Sequence, residues 1–260
     1  MTLQCYYFSG TGNSLSAART LTKLLEAPEP IGIAAALKEH RLPEAGELLV
    51  VSPVYMFRLP HIVVRFLKEI PAGFKLHLLA VNAGGVGGCF NQAERIIRGR
   101  GTLVGAYTLV TPSNYLPFGE AVQGEEQRHL LDEAEHKLAA IASRIAGGKK
   151  ERDPQSSWFE RALWPGAMYA LGYKMIPRMA GGFRVDESCT SCGICAKVCP
   201  VENIELVDGR PVWGSVCEQC LACLNLCPAS AIQHGKTSAD QSRYRNPGVT
   251  VNDLSAQKSL

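Results

Sequence analysis

The sequence predicts an α/β fold: a doubly wound, five-stranded parallel sheet over residues 1–148, followed by a small α+β domain over residues 182–236. Three observations carry that prediction. Apolar runs of strand length alternate with amphipathic helical stretches through the first 148 residues, the pattern of parallel strands joined by crossover helices. The loops after the first, third and fourth of those runs have unusual composition, and in an open α/β sheet those loops bind ligands. Beyond them, eight of the ten cysteines repeat one spacing twice.

Taken in order, residues 2–8 form a β-rich run, and residues 14–26 place Leu15, Ala18, Leu21 and Leu25 at helical spacing. A short second strand is expected near residues 30–33, and a buried third over 47–54. Residues 60–70 turn Ile62, Val63, Phe66, Leu67 and Ile70 inward on a helix. Strands over 76–83 and 103–111 enclose a helix over 90–100. The last helix of this half, 125–145, carries Leu131, Ala134, Leu138, Ile141 and Ile145 on one face.

The second half is organised by cysteine. Cys189, Cys192, Cys195 and Cys199-Pro200 make C-x2-C-x2-C-x3-C-P, and Cys217, Cys220, Cys223 and Cys227-Pro228 repeat it 28 residues later. Zinc sites use paired knuckles with a longer loop between, and a third thiolate at x2 with a fourth at x3 exceeds what one tetrahedral ion takes. A disulfide framework needs an oxidising compartment, and no secretory signal opens the chain. Residues 182–236 resemble the bacterial two-4Fe-4S ferredoxins. That resemblance implies crossed ligation, in which the fourth cysteine of each motif serves the other cluster. Cys189, Cys192, Cys195 and Cys227 would hold one 4Fe-4S cluster, and Cys217, Cys220, Cys223 and Cys199 the second.

At 260 residues the chain has room for one further domain with a sizeable core, and 46% hydrophobic with 20% charged residues is ordinary for a globular protein. A formal net charge of +3 carries no nucleic-acid or membrane signal, and no run of 18 apolar residues is present to span a membrane. Ten cysteines without a secretory signal point to a reducing cytoplasm in an oxygen-poor, anaerobic setting.

The first unusual loop, Ser9-Gly10-Thr11-Gly12-Asn13-Ser14, leaves a strand and opens a helix, so backbone N–H groups and hydroxyls can surround a phosphate at the helix's positive end. It lacks the lysine of a Walker loop and the spacing of a dinucleotide fingerprint. This loop resembles the phosphate loop of flavodoxins, which implies FMN. The same resemblance makes Pro53, Val54, Tyr55, Met56 and Phe57 one wall of the ring site. It places Asn82, Ala83, Gly84, Gly85, Gly87 and Gly88 at the ring's polar edge. Tyr55 reads equally as core or as a flavin-stacking aromatic, with Phe57 and Tyr115 as weaker stacking candidates.

Residues 112–118 form a proline-punctuated loop that reads as a lid or as an irregular connection, and Arg58 could steer an anion. The six histidines form no ligand constellation, and Cys5 and Cys89 look structural. Residues 149–181 read as linker and packing helices, with the domain boundary near 147–154. Their stripe of Trp158, Phe159, Trp164, Met168, Tyr169, Tyr173, Met175 and Met179 suits domain docking or a homodimer, and less well a membrane surface through Arg161, Lys174 and Arg178. Residues 237–260 read as a C-terminal tail.

The whole chain resembles flavodoxin-ferredoxin fusion proteins of anaerobic bacteria and archaea. The resemblance implies an electron-transfer protein with two 4Fe-4S clusters and FMN, converting single electrons to pairs. An oxidoreductase acting on a small-molecule substrate is the first expectation. The alternative is a non-enzymatic carrier between redox protein partners, ferredoxin-like or reductase. No catalytic residue can be named from the sequence.

Overall fold

The computed structural model describes residues 3–43, 46–116, 119–154, 166–235 and 238–259, without the side chains of 166–170. Strand β1 (Gln4–Tyr7) leads into helix α1 (Asn13–Leu24), and β2 (Ile31–Gly32) into α2 (Ile33–Lys38). Next come β3 (Glu47–Pro53), α3 (His61–Glu69), β4 (Phe74–Asn82), α4 (Cys89–Ile97), β5 (Gly101–Val110) and α5 (Gly124–Ala146).

The sheet has the order β2-β1-β3-β4-β5 and then a sixth strand, β6 (Glu151–Arg152), with every neighbouring pair parallel. The chain runs from β1 outward to β2 and then back across to β3. Their carboxyl ends therefore flank the switch point where such sheets open a crevice. Alternate residues face opposite layers. Phe8, Leu48, Val50, Leu76 and Leu78 pack under α2, α3 and α4, while Tyr7, Leu49, Val51 and Leu79 pack under α1 and α5. Cys5 and Cys89 are buried in these two cores, as their isolation implied.

The five-stranded expectation is corrected to six. Strand β6 is Glu151–Arg152, inside the stretch read as linker, and it pairs with Gly105 and Ala106 of β5. Two charged residues give no apolar run to detect. Side chains hold them instead: Arg144 donates to Glu151 and to Asp153 at 2.8 Å, and Thr108 N donates to Asp153 at 2.8 Å. Helix α2 also went unread, because its six residues are almost uniformly apolar and show no amphipathic period. Leu131 is only partly buried, whereas Ala134, Leu138, Ile141 and Ile145 face the core as expected.

Helix α6 (Gly166–Met175) and a 3-10 turn (Ile176–Gly182) lead into the cysteine-rich half. There β7 (Phe183–Val185) pairs antiparallel with β10 (Ile232–His234), and β8 (Ile204–Val207) with β9 (Arg210–Trp213). Helix α7 (Ile194–Val198) and helix α8 (Ala222–Asn225) follow the second cysteine of each motif, so the sequence repeat is also a structural one. Residues 237–260 are more than a tail, since α9 (Val251–Ala256) is closed by a Thr250–Asp253 capping box and buries Leu254. Among the described residues no helix is long and apolar enough to cross a membrane.

Candidate functional site

A cavity of about 510 Å³ opens at the carboxyl ends of β1, β3, β4 and β5, within the roughly 300–1,000 Å³ typical of small-molecule pockets. It collects the three predicted loops. Ser9, Gly10, Thr11, Asn13 and Ser14 line it, as do Pro53, Val54, Tyr55, Met56 and Phe57, and Asn82, Ala83, Gly84 and Gly85. Gly12, Gly87 and Gly88 do not line it. Thr111 to Tyr115 complete the wall from the β5 loop, while Pro117 and Phe118 lie outside the described residues.

Helix α1 begins at this wall. Ser9 Oγ accepts from Gly12 N at 3.1 Å, which curls the loop, and no side chain caps the helix. A 12-residue helix that starts uncapped at a cavity offers N–H donors and a positive dipole end to an anion. The Asn13 carboxamide is otherwise engaged. Its Nδ2 donates to Thr111 Oγ1 and Pro112 O, both at 3.1 Å, and its Oδ1 accepts from Tyr244 Oη at 2.5 Å and Asn246 Nδ2 at 3.0 Å. Asn13 thus lines the cavity as a knot with all four hydrogen-bonding positions used.

The second loop is a tight turn in which Tyr55 and Arg58 bond each other's backbone at 2.9 and 3.0 Å. Its middle residues Met56 and Phe57 have φ of 48° and 59°, left-handed values that a two-residue reversal requires of both. That conformation sets both side chains on the cavity wall. In the third loop Asn82 is a brace, since Nδ2 donates to Ala80 O and Leu109 O at 3.2 Å and Oδ1 accepts from Gly85 N at 2.9 Å.

The other half of the chain supplies three wall residues that sequence reasoning missed as ligands: Ile176, Met179 and Gln219. They are more than 80 residues from any of the three loops predicted to hold the flavin, and no local signal links them. The segment read as a packing stripe brings in Ile176 and Met179, and the second cysteine motif brings in Gln219. Tyr173 Oη donates to Leu59 O at 2.8 Å, its ring stacks on His61 at 4.1 Å, and Arg58 lies 5.8 Å from the ring's centre. Tyr173 therefore docks the two halves, while Met175 is exposed. Trp158, Phe159, Arg161 and Trp164 fall outside the described residues, as do the side chains of Met168 and Tyr169.

The cysteines separate into the two expected groups. Cys189, Cys192, Cys195 and Cys227 line one small cavity, and Cys199, Cys217, Cys220 and Cys223 line another. Among the described residues no three His, Cys, Asp or Glu are placed to hold a single metal ion. Instead, N–H groups point at sulfur: Asn203 N lies 3.2 Å from Cys199 Sγ, and Gln219 N 3.2 Å from Cys217 Sγ. Near the second group the buried donor Tyr55 Oη lacks a hydrogen-bond partner among the described residues, and the buried Trp213 Nε1 is directed at Cys223. Trp213 lines that cavity, and Tyr55 packs against the same hydrophobic cluster as Cys220. A buried donor without an acceptor, beside one directed at sulfur, fits a sulfur-rich group that supplies acceptors.

The second group also touches the main cavity. A Cβ at Gly10 would stand 2.4 Å from Cys220 O, so only glycine permits this approach of the phosphate-type loop to the cysteine loop. Next to it, Glu218 accepts from His61 N at 2.9 Å and Ile62 N at 2.7 Å, capping α3 across the domain junction. Burial pushes the Glu218 carboxyl up to about 7, with the two backbone N–H groups pulling the other way. Burial likewise lowers His61 and raises Tyr55 well above the ordinary tyrosine value.

Residues 184–205 match a family described as 4Fe-4S binding domain, which takes in the first cysteine motif. No curated protein matches the chain. Among solved structures, the chain is similar to a Fusobacterium nucleatum flavodoxin bound to flavin mononucleotide, at 17% identity and TM-score 0.39, covering 57% of this chain and 99% of that one. It is also similar to a flavodoxin from the domain Archaea (16%, TM-score 0.36, covering 56% and 99%). A third similar structure is the Trp repressor binding protein from Bacillus subtilis (14%, TM-score 0.37, covering 59% and 100%).

Proposed function

We propose that this protein passes electrons between two 4Fe-4S clusters and FMN, and that it works as a reductase of a small molecule admitted beside the flavin. The observation that carries the reading is the junction itself. Gln219 lines the main cavity and donates its backbone N–H to Cys217 Sγ, so one residue touches both proposed redox sites.

In this reading the residues 1–148 hold the flavin, 182–236 hold the clusters, and 149–181 roof the junction. When bound, FMN exchanges single electrons or pairs while each cluster exchanges one. The uncapped start of α1, with Ser9, Thr11 and Ser14, would take the phosphate. Tyr55, Met56 and Phe57 would flank the ring, and the backbone of Ala83 to Gly85 its polar edge. Cys199, Cys217, Cys220 and Cys223 would hold the cluster next to the flavin. Cys189, Cys192, Cys195 and Cys227 would hold the outer one, where Cys192 is exposed to a redox protein partner. Burial at the inner group excludes water and favours fast exchange with the cavity.

Anaerobic purification with iron, sulfide and flavin quantification tests this. About eight irons and one FMN per chain, with flavin bleached by a low-potential donor through the clusters, is the expected result. Eight irons with no flavin, even after FMN is added, would overturn it. Rapid reoxidation by protein acceptors alone, with none by small electrophiles, would replace the reductase by a carrier.

A further inference from the structure

The C-terminal segment binds the back of the phosphate-type loop more completely than the sheet domain itself does. Gln257 is 1% exposed, and its carboxamide grips both backbone groups of Ser9, accepting from N at 3.2 Å and donating to O at 2.9 Å. Asn246 N donates to Thr11 O at 2.9 Å. Tyr244 and Asn246 together fill the acceptor side of Asn13. Gly12, at φ 108°, has space for no side chain, since a Cβ would lie 2.9 Å from Asn246 Cβ and 3.0 Å from Val249 Cβ. The segment is anchored in turn on the cysteine-rich half. Lys258 Nζ donates to Ala196 O at 3.1 Å, Lys197 Nζ to Asn252 Oδ1 at 2.9 Å, and Tyr244 N to Asn225 Oδ1 at 3.0 Å.

We infer that residues 244–258 are a strap that holds the loop in its anion-binding shape, with Gln257 and Tyr244 as positioning residues for the phosphate of FMN. The inference rests on the FMN reading above. The loop has no cationic side chain, so its affinity for a phosphate depends on how well its backbone N–H groups converge. A flexible glycine-containing loop converges poorly unless something fixes it. Three residues of the strap fix it, Gln257 at Ser9, the Asn246 backbone at Thr11, and the Tyr244 and Asn246 side chains at Asn13, and none of the three lines the cavity. They act on the phosphate only through the loop. Among the described residues, none of their hydrogen bonds goes to the second or third loop.

The test compares FMN with riboflavin, which has the ring but no phosphate, on the iron-loaded full chain. Dissociation constants are measured for the wild type, Gln257→Leu and Tyr244→Phe, with iron content as the check on folding. Each substitution is expected to weaken FMN about tenfold and leave riboflavin within about twofold, at unchanged iron. An unchanged ratio of the two affinities in both variants would overturn the strap, whether the two flavins weaken together or not at all. A wild type that binds riboflavin as tightly as FMN overturns the strap and keeps the flavin site. A wild type that binds neither loses both readings.

Discussion

Two cysteine groups with one spacing occupy different surroundings. The outer group has Cys192 exposed and Cys189 and Cys227 half-buried. The inner group has Cys199 and Cys223 buried, the carbonyl of Cys220 against Gly10, and Glu218 capping a helix of the other domain. In the proposed function, equal spacing would give both groups the same chemistry and unequal packing would separate their work, the exposed group toward a partner and the other toward the cavity.

Cysteine substitutions break this comparison most severely. Cys220→Ser and Cys192→Ser should each reduce iron from about eight to about four per chain. Only the former should uncouple flavin reduction from a protein donor while leaving the outer cluster's own signal reducible, followed by stopped-flow absorbance and paramagnetic resonance. Equal kinetic defects in the two variants would remove the inner and outer assignment.

Gly10→Ala comes next. The added methyl meets the Cys220 carbonyl, an overpacking that costs about 1–3 kcal/mol and opens the junction. A lower thermal midpoint and slower flavin reduction are expected together. Gly119→Ala, away from the cavity lining and where a Cβ meets open space, is the matched control and should change neither.

Glu218→Ala removes the cap on α3 and should cost about 1–2 kcal/mol in urea unfolding. The matching position in the outer motif, Thr190, is exposed, and Thr190→Ala should stay within about 0.5 kcal/mol.

The smallest effect belongs to the surface pair that ties α9 to α1. Arg19 lies 2.6 Å from Asp253, and that hydrogen bond, with those from Thr250, holds the Asp253 carboxyl far below the usual range. Both partners are partly exposed, so Asp253→Asn should cost only a few tenths of a kcal/mol. A depressed pKa contributes stability above the unfolded value near 4 and loses it as pH falls below. The wild-type advantage over Asp253→Asn should therefore stay constant from about pH 8 to pH 5, and a decline within that window would contradict the pairing.

Much of this was legible in the sequence because it is local. Each of the nine strands and helices expected in the first half is present, with ends moved by a few residues. Apolar period reports burial one residue at a time. The grouping of the cysteines around two small cavities was legible because their repeat lies in one chain segment, whose resemblance to two-cluster ferredoxins implies that grouping. Fourteen residues named for the flavin site line the cavity. Gly12, Gly87 and Gly88 looked equivalent to them because composition does not show which way a backbone faces. Strand β6 and helix α2 were missed because neither has a periodic apolar pattern.

What the sequence determined, then, was the set of parts: the alternating sheet, the three loops at its switch point and the paired motifs. Each of these is encoded within a few residues of itself. Tertiary structure decided their arrangement. Gln257 meets Ser9 across 248 positions, Tyr244 meets Asn13 across 231, and Gln219 reaches a cavity formed some hundred or more residues earlier. Such contacts form between surfaces that exist only after both halves have folded. Single glutamines, asparagines and tyrosines in polar stretches carry no periodic signal for them. The glycines at 10 and 12 mark their close approach, yet in the sequence they read only as a loop around a phosphate.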